Sequence, residues 1–257
     1  MINCSLDLRI MPLMCIIYGL QFLDKTTLSY ANIMGLKTST NTTGSQYSWL
    51  GSMFYFGYLV AEYPASRLMQ RLPLAKYTGV NIIIWGTILA CIAACTSWPG
   101  LMVVRTFLGI FEASITPGFA LFTSQWYRKH EQGARIGLWF SFNGVAQIVG
   151  GLVAYGIATA TSSGQTSLAG WQIMFLWTGL VTAAFGVMLL IFMPDNPLKA
   201  RWLTPREKVF AIERIRMNQQ GVGNRHFKKY QFFEALKDPL VSLPVSQSAK
   251  RQTNWSW

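Results

Sequence analysis

The sequence predicts an all-α membrane protein built on six transmembrane helices. Two observations carry this expectation. Of the 257 residues 51% are apolar and only 12% charged, whereas a soluble domain carries about 25% charged residues. Long apolar stretches then recur at 10–34, 47–70, 77–97, 100–124, 135–159 and 170–193. About 20 apolar residues, rising 1.5 Å each, cover a hydrocarbon core about 30 Å thick. The first stretch is too long for a signal peptide and lacks a small-residue cleavage site.

Charge sets the expected orientation. Basic residues collect at Arg9, in the loop after the second span (Arg67, Arg71, Lys76), in the loop after the fourth (Arg128, Lys129, Arg135) and beyond Pro194. The loops on the opposite side carry Lys37 alone. The positive-inside bias then places both termini in the cytoplasm. The net charge of +12 is thereby a topology signal, and nucleic acid is not an expected partner. Asn41-Thr42-Thr43 becomes an extracytoplasmic glycosylation sequon, with Asn41 as acceptor, while Asn3-Cys4-Ser5 and Asn254-Trp255-Ser256 lie on the wrong side. Trp49, Trp98, Trp126 and Trp171 fall near span ends, as interfacial anchors do. Cys15, Cys91 and Cys95 sit inside spans and read as small packing residues.

Asp24, Lys25, Arg105 and Glu112 lie well inside spans, and Glu62 nearer the cytoplasmic end of the second. A charge at a helix centre costs about 2.5–3.5 kcal/mol, so each needs a partner or a water-filled cavity. Arg105 and Glu112 share a face two turns, about 10 Å, apart. Asp24 falls at a depth between them and could pair with Arg105. These charges fit either a helix-packing salt bridge or a site for substrate and protons. Asn143 and Gln147 share a face of the fifth span, as interhelical glue or as cavity-lining donors. Its glycines, among them Gly144, Gly150 and Gly151, suit close helix approach. No metal cluster, nucleophile triad or phosphate loop appears, so neither an enzyme nor a bound cofactor is expected.

Gln21-Phe22-Leu23-Asp24 in the first span echoes Gly109-Ile110-Phe111-Glu112 in the fourth, and the same offset carries the second span onto the fifth. Three spans per unit make the units inverted, a three-plus-three repeat with a site near the midplane.

The string Leu23-Asp24-Lys25-Thr26-Thr27-Leu28-Ser29-Tyr30-Ala31 resembles the first helix of fungal allantoate permease-type carriers, in the anion:cation symporter branch of the major facilitator superfamily. So do Glu62-Tyr63-Pro64, the run Arg71-Leu72-Pro73-Leu74-Ala75-Lys76-Tyr77, and the stretch from Met102 to Ala113. Pro117-Gly118, Gln125-Trp126-Tyr127 and Met193-Pro194-Asp195-Asn196-Pro197 follow in order. The likeness covers about residues 7–239 and is to the amino-terminal half of a twelve-helix carrier.

This resemblance implies proton-coupled symport of a small organic anion such as allantoate, nicotinate or pantothenate, driven by a proton gradient across the plasma membrane. Arg105 to Gly109 matches the superfamily's RxxxG pattern associated with proton coupling. Residues 64–76 hold the place of its gating loop, which implies a cytoplasmic gate at Glu62, Arg67 and Arg71, but the usual glycine and acid of that motif are not recognisable here. In this reading Arg105 neutralises substrate and Asp24 in turn, and Glu112 or Asp24 carries the proton.

The expected organisation is a cytoplasmic amino terminus (1–9), the six-helix bundle (10–193), a central-loop segment (194–239) and a polar tail (240–257). The central loop holds a basic amphipathic helix running to about Gln219. It opens with a capping box, Thr204 to Glu207, with Pro205 at the first helical position. No seventh span fits into 240–257, which suggests a truncation product. A lone half would pair with a second six-helix half or with its own copy. The alternative is a half-length membrane protein that assists or regulates others without transporting.

Overall fold

A computed structural model of the chain describes residues 2–162, 167–196, 200 and 202–216. Among them there are helices and no strand. They are α1 (Ile2–Ile33), the short α2 (Leu36–Ser39), α3 (Gly44–Arg71), α4 (Leu74–Cys91), α5 (Trp98–Glu112), α6 (Ile115–Trp126), α7 (Lys129–Ser162), α8 (Gly170–Phe192) and α9 (Pro205–Arg216). Among the described residues five segments are long and apolar enough to cross a membrane: Leu6–Ile33, Leu74–Ala94, Trp98–Trp126, Lys129–Thr161 and Gly170–Phe192. Helix α3 has 28 residues but is less apolar, because Ser48, Ser52, Tyr55, Tyr58, Glu62 and Tyr63 lie along it.

Several expected boundaries move; α7 starts at Lys129 where the fifth span is expected from 135, so Lys129 and Arg135 lie in the helix and not in the loop before it. Residues 2–9 form the first turns of α1, held by Leu6, which is buried, and by Asp7, which meets Arg135 at 3.0 Å. The fourth span divides at Ala113 and Ser114 into α5 and α6. Pro117 accounts for the division: it has no N–H for the Ala113 carbonyl and its ring crowds that oxygen. Both break residues keep right-handed helical dihedrals, so the chain continues in one direction.

Three helix pairs dominate the packing: α4 on α8, α3 on α5 and α1 on α7. The α3–α5 contact requires glycine. A Cβ on Gly57 would collide with the Thr106 carbonyl, and one on Gly109 with the Phe54 carbonyl. Such close approach supplies the van der Waals contact that holds helices together in lipid, where no hydrophobic force separates helix from solvent. Trp85, Phe119, Phe122, Trp126 and Phe175 fill the core. Trp126 and Trp171 are therefore not lipid-facing anchors: Trp126 stacks on Trp202 at 6.0 Å and Trp171 meets Phe175 edge-on. Trp49 is exposed, and Trp98 donates to the Gln46 carbonyl at 3.2 Å.

One end of the bundle gathers the start of α1, the end of α6, the starts of α4 and α7, and the chain after α8. Asp7 binds Arg135 there, and Asp195 accepts from the Lys76 backbone N–H at 3.3 Å. At the opposite end Tyr47 donates to the Leu28 carbonyl at 3.0 Å and Gln172 to the Ala93 carbonyl at 2.9 Å. Gly35 (φ 90) and Asn41 (φ 48) turn the chain between α1 and α3, and Thr43 with Gln46 caps α3 reciprocally. The Thr204–Glu207 box caps α9 as expected, and α9 is described as far as Arg216. The expected end near Gln219, the stretch to 239, the tail 240–257 and the Asn254 sequon lie outside the described residues.

Candidate functional site

Helix geometry places Gln21, Asp24, Lys25 and Leu28 along one side of α1, at spacings of three and four residues. From α5 come Arg105 and Glu112, two turns apart. Asp24, Arg105 and Glu112 are all buried. Asp24, Lys25, Leu28, Gly51, Phe54, Tyr55 and Arg105 line one cavity of about 50 Å³, room for water molecules only.

Asp24 and Arg105 share this cavity without a direct ion pair between them. The Trp85 indole donates to Asp24 Oδ2 at 2.9 Å. Lys25 Nζ instead reaches Glu112 Oε1 at 3.1 Å. Consecutive residues on an α-helix diverge by about 100°, so Asp24 turns toward α4 while Lys25 turns toward α5. The Arg105 guanidinium lies 5.4 Å from the Phe175 ring centroid. Asp24 Oδ1 and Arg105 Nη2 are buried without a hydrogen-bond partner. A buried polar atom left unpaired is costly, so both are ready to accept a ligand or water. Beyond Glu112, Gln21 and Thr116 exchange hydrogen bonds at 3.4 Å.

The other candidates stand apart from this cavity. Asn143 on α7 is half-buried with an unpaired Oδ1, and Gln147 is exposed. Glu62 and Arg71 are exposed toward the end of α3, and Arg67 donates to Gln70 at 3.4 Å. Asn41 is exposed in its turn. Trp85, Gln21 and Thr116 escaped the sequence reading. Gln21 carried a signal, standing one turn before Asp24 on the same face; Trp85 stands alone in an apolar run and carried none. Among the described residues no group of three His, Cys, Asp or Glu side chains could hold a metal ion.

The family model for the major facilitator superfamily matches residues 14–248. The chain belongs to the major facilitator superfamily. Over 234 residues it is 46% identical to an uncharacterized transporter of Schizosaccharomyces pombe, covering 91% of this chain and 45% of that protein. Allantoate permease of Saccharomyces cerevisiae is 43% identical over 237 residues, 91% of this chain and 43% of the permease. A thiamine pathway transporter of the same yeast is 44% identical over 241 residues, 94% of this chain and 45% of that protein. The chain thus spans under half the length of these relatives. A bacterial homolog of the human lysosomal transporter Spinster, inward-facing and occupied, shares the fold with a TM-score of 0.65. Its identity is 18%, over 73% of this chain and 44% of that one.

Proposed function

We propose that this superfamily member is the amino-terminal half of a proton-coupled symporter for a small organic anion, in the class of allantoate, nicotinate or pantothenate. One observation carries the reading: Asp24, Lys25 and Arg105 surround a single cavity in which Asp24 Oδ1 and Arg105 Nη2 have no partner. A carboxylate entering there would meet the planar fork of Arg105. Lys25 is the second cation, committed to Glu112 in this conformation. A proton arriving on Glu112 discharges that pair and frees Lys25 to face the substrate. Proton and anion then favour each other's binding, which is the thermodynamic requirement of symport.

The helix pairing supports a three-plus-three inverted repeat. Counting spans as α1, α3, α4, α5 with α6, α7 and α8, the strong contacts are first with fifth, second with fourth, and third with sixth. Exchanging each of the first three spans with its counterpart three later maps this set onto itself. A second six-helix half, or a second copy, would cover the exposed face of α7 and enlarge the cavity by alternating access. The basic end would face the cytoplasm, with Glu62, Arg67 and Arg71 near the gate, and Asn41 would lie outside as a glycan acceptor. The membrane would be the plasma membrane, with the proton gradient as coupling source and no bound cofactor.

Uptake of labelled allantoate, nicotinate and pantothenate in a permease-deficient yeast, with and without an uncoupler, tests the reading. One of the three is expected to accumulate, with uptake abolished by the uncoupler and by Arg105→Ala. Glu112→Gln is expected to preserve exchange of internal for external substrate while removing its dependence on external pH. Uptake indifferent to Arg105→Ala overturns the assignment.

A further inference from the structure

A second, larger hollow lies between α1 and α8 at the basic end of the bundle, away from the charged cavity. Its volume is about 550 Å³, and Leu13, Ile16, Phe185 and Phe192 line its length, with Arg9 and Trp202 also on its wall. Its size falls within the range of about 300–1,000 Å³ typical of small-molecule sites. From Arg9 to Ile16 and from Phe185 to Phe192 both walls run about 10 Å along their helices. Ile16 and Phe192 are exposed on helices long enough to cross a membrane. The hollow therefore opens where acyl chains would lie.

Its charge is one-sided. Among the described residues Arg9 is the only ionisable one in the lining. Its guanidinium stacks over the Trp202 ring, 4.8 Å from the centroid, and Trp202 in turn stacks on the buried Trp126. The stack fixes the cation and leaves its N–H edge available. Among the described residues no carboxylate lies within ion-pair distance of Arg9; Glu207 acts on it only at longer range. A fixed guanidinium beside an interfacial tryptophan, above an apolar trough, matches a phosphate group with its acyl chain. Basic pockets between membrane helices bind anionic lipid headgroups for this reason.

We infer that the hollow between α1 and α8 is a binding site for an anionic phospholipid, its headgroup phosphate on Arg9 and one acyl chain between the two helices. The site is independent of the transport reading. It would join the first and last helices of the bundle to the segment carrying Trp202 through a lipid.

The test is lipid retention by the purified full chain, counted by native mass spectrometry after mixing with phosphatidylserine and phosphatidylcholine of identical acyl chains. Wild type is expected to retain phosphatidylserine in preference. Removing one basic residue near the surface should reduce that preference about fivefold in Arg9→Gln; phosphatidylcholine, whose phosphate is offset by its own ammonium group, should fall less, and an unchanged monodisperse elution serves as the control for folding. Arg128→Gln, an exposed cation at the same end, should leave the preference intact. Met188→Trp, which fills the hollow, should cut retention of both lipids. Equal retention of the two lipids by wild type, or a preference that survives Arg9→Gln, overturns the proposal. So does a chain that retains neither lipid while a photoreactive residue at position 188 crosslinks to the chain's own residues beyond 216.

Discussion

A carboxylate inside a bilayer needs a donor that cannot leave, and for Asp24 that donor is the Trp85 indole. Trp85→Phe keeps most of the ring and removes the N–H, stranding Asp24 Oδ2. A loss of about 1–3 kcal/mol is expected, read as a lower unfolding midpoint in detergent; an unchanged midpoint would mean that water replaces the indole. Lys25 and Glu112 make the complementary case. Lys25→Ala leaves a buried carboxylate without its cation; with the Lys25 side chain itself 35% exposed, the loss is expected to fall below the about 3–5 kcal/mol of a fully buried pair. Adding Glu112→Gln should recover most of that loss, whereas additive penalties would show that the two side chains do not act as a pair. The four charged positions were legible in the sequence because charge inside an apolar span is rare. Their pairing was not. Depth suggested Asp24 with Arg105, and the two do share a cavity and interact across it, but azimuth around α1 decides the direct contacts, and the neighbouring helices set which azimuth faces which group.

At the scale of elements, apolar length located the helices and local chemistry explains where they break. Pro117 was present in the sequence at the point where the fourth span divides, yet the run of apolar residues continues across it, so length alone hid the break. The α3–α5 contact depends on Gly57 and Gly109 in the same local way. A leucine at position 109 would drive its side chain into the Phe54 carbonyl, and the two helices would have to part. Gly109→Leu is expected to lose the folded, monodisperse peak in detergent chromatography, while Gly144→Leu, where nothing lies within 4 Å, should keep it. Helix α9 was legible down to its first residue, because its cap is written in adjacent positions. Hydrogen bonds from the Thr204 backbone N–H and then its hydroxyl hold the Glu207 carboxyl below the usual glutamate range. A depressed acid stabilises the helix above its unfolded pKa of about 4.3 and loses that contribution as pH falls through the lowered value. Amide protection in the first turn of α9 should therefore fall on acidification below about pH 4, and Glu207→Gln should abolish the dependence.

For the whole molecule, the decisive property is that charge sorts between two ends that the helices hold apart. Arg9, Arg71, Lys76, Arg128, Lys129 and Arg135 lie where α1, α4 and α7 begin and where α3 and α6 stop, while Lys37 is at the other end beside Tyr47. Contacts such as Asp7 with Arg135 and Asp195 with the start of α4 bring the basic segments together. This sorting is legible in the sequence, since alternate loops carry it. The sequence did not show that α1, α7 and the segment after α8 meet there, because those contacts join residues more than a hundred positions apart. Insertion machinery retains basic loops on the cytoplasmic side, so the basic end is expected to be inside. In a background with all four native cysteines changed to serine, Lys37→Cys should react with a membrane-impermeant maleimide on intact cells. Lys76→Cys should react only after permeabilisation. The reverse pattern would invert the bundle, place Asn41 in the cytoplasm and remove the basis for a proton-driven inward carrier. Labelling of both sites on intact cells would mean instead that the bundle does not hold a single orientation, and the charge sorting would then need another cause.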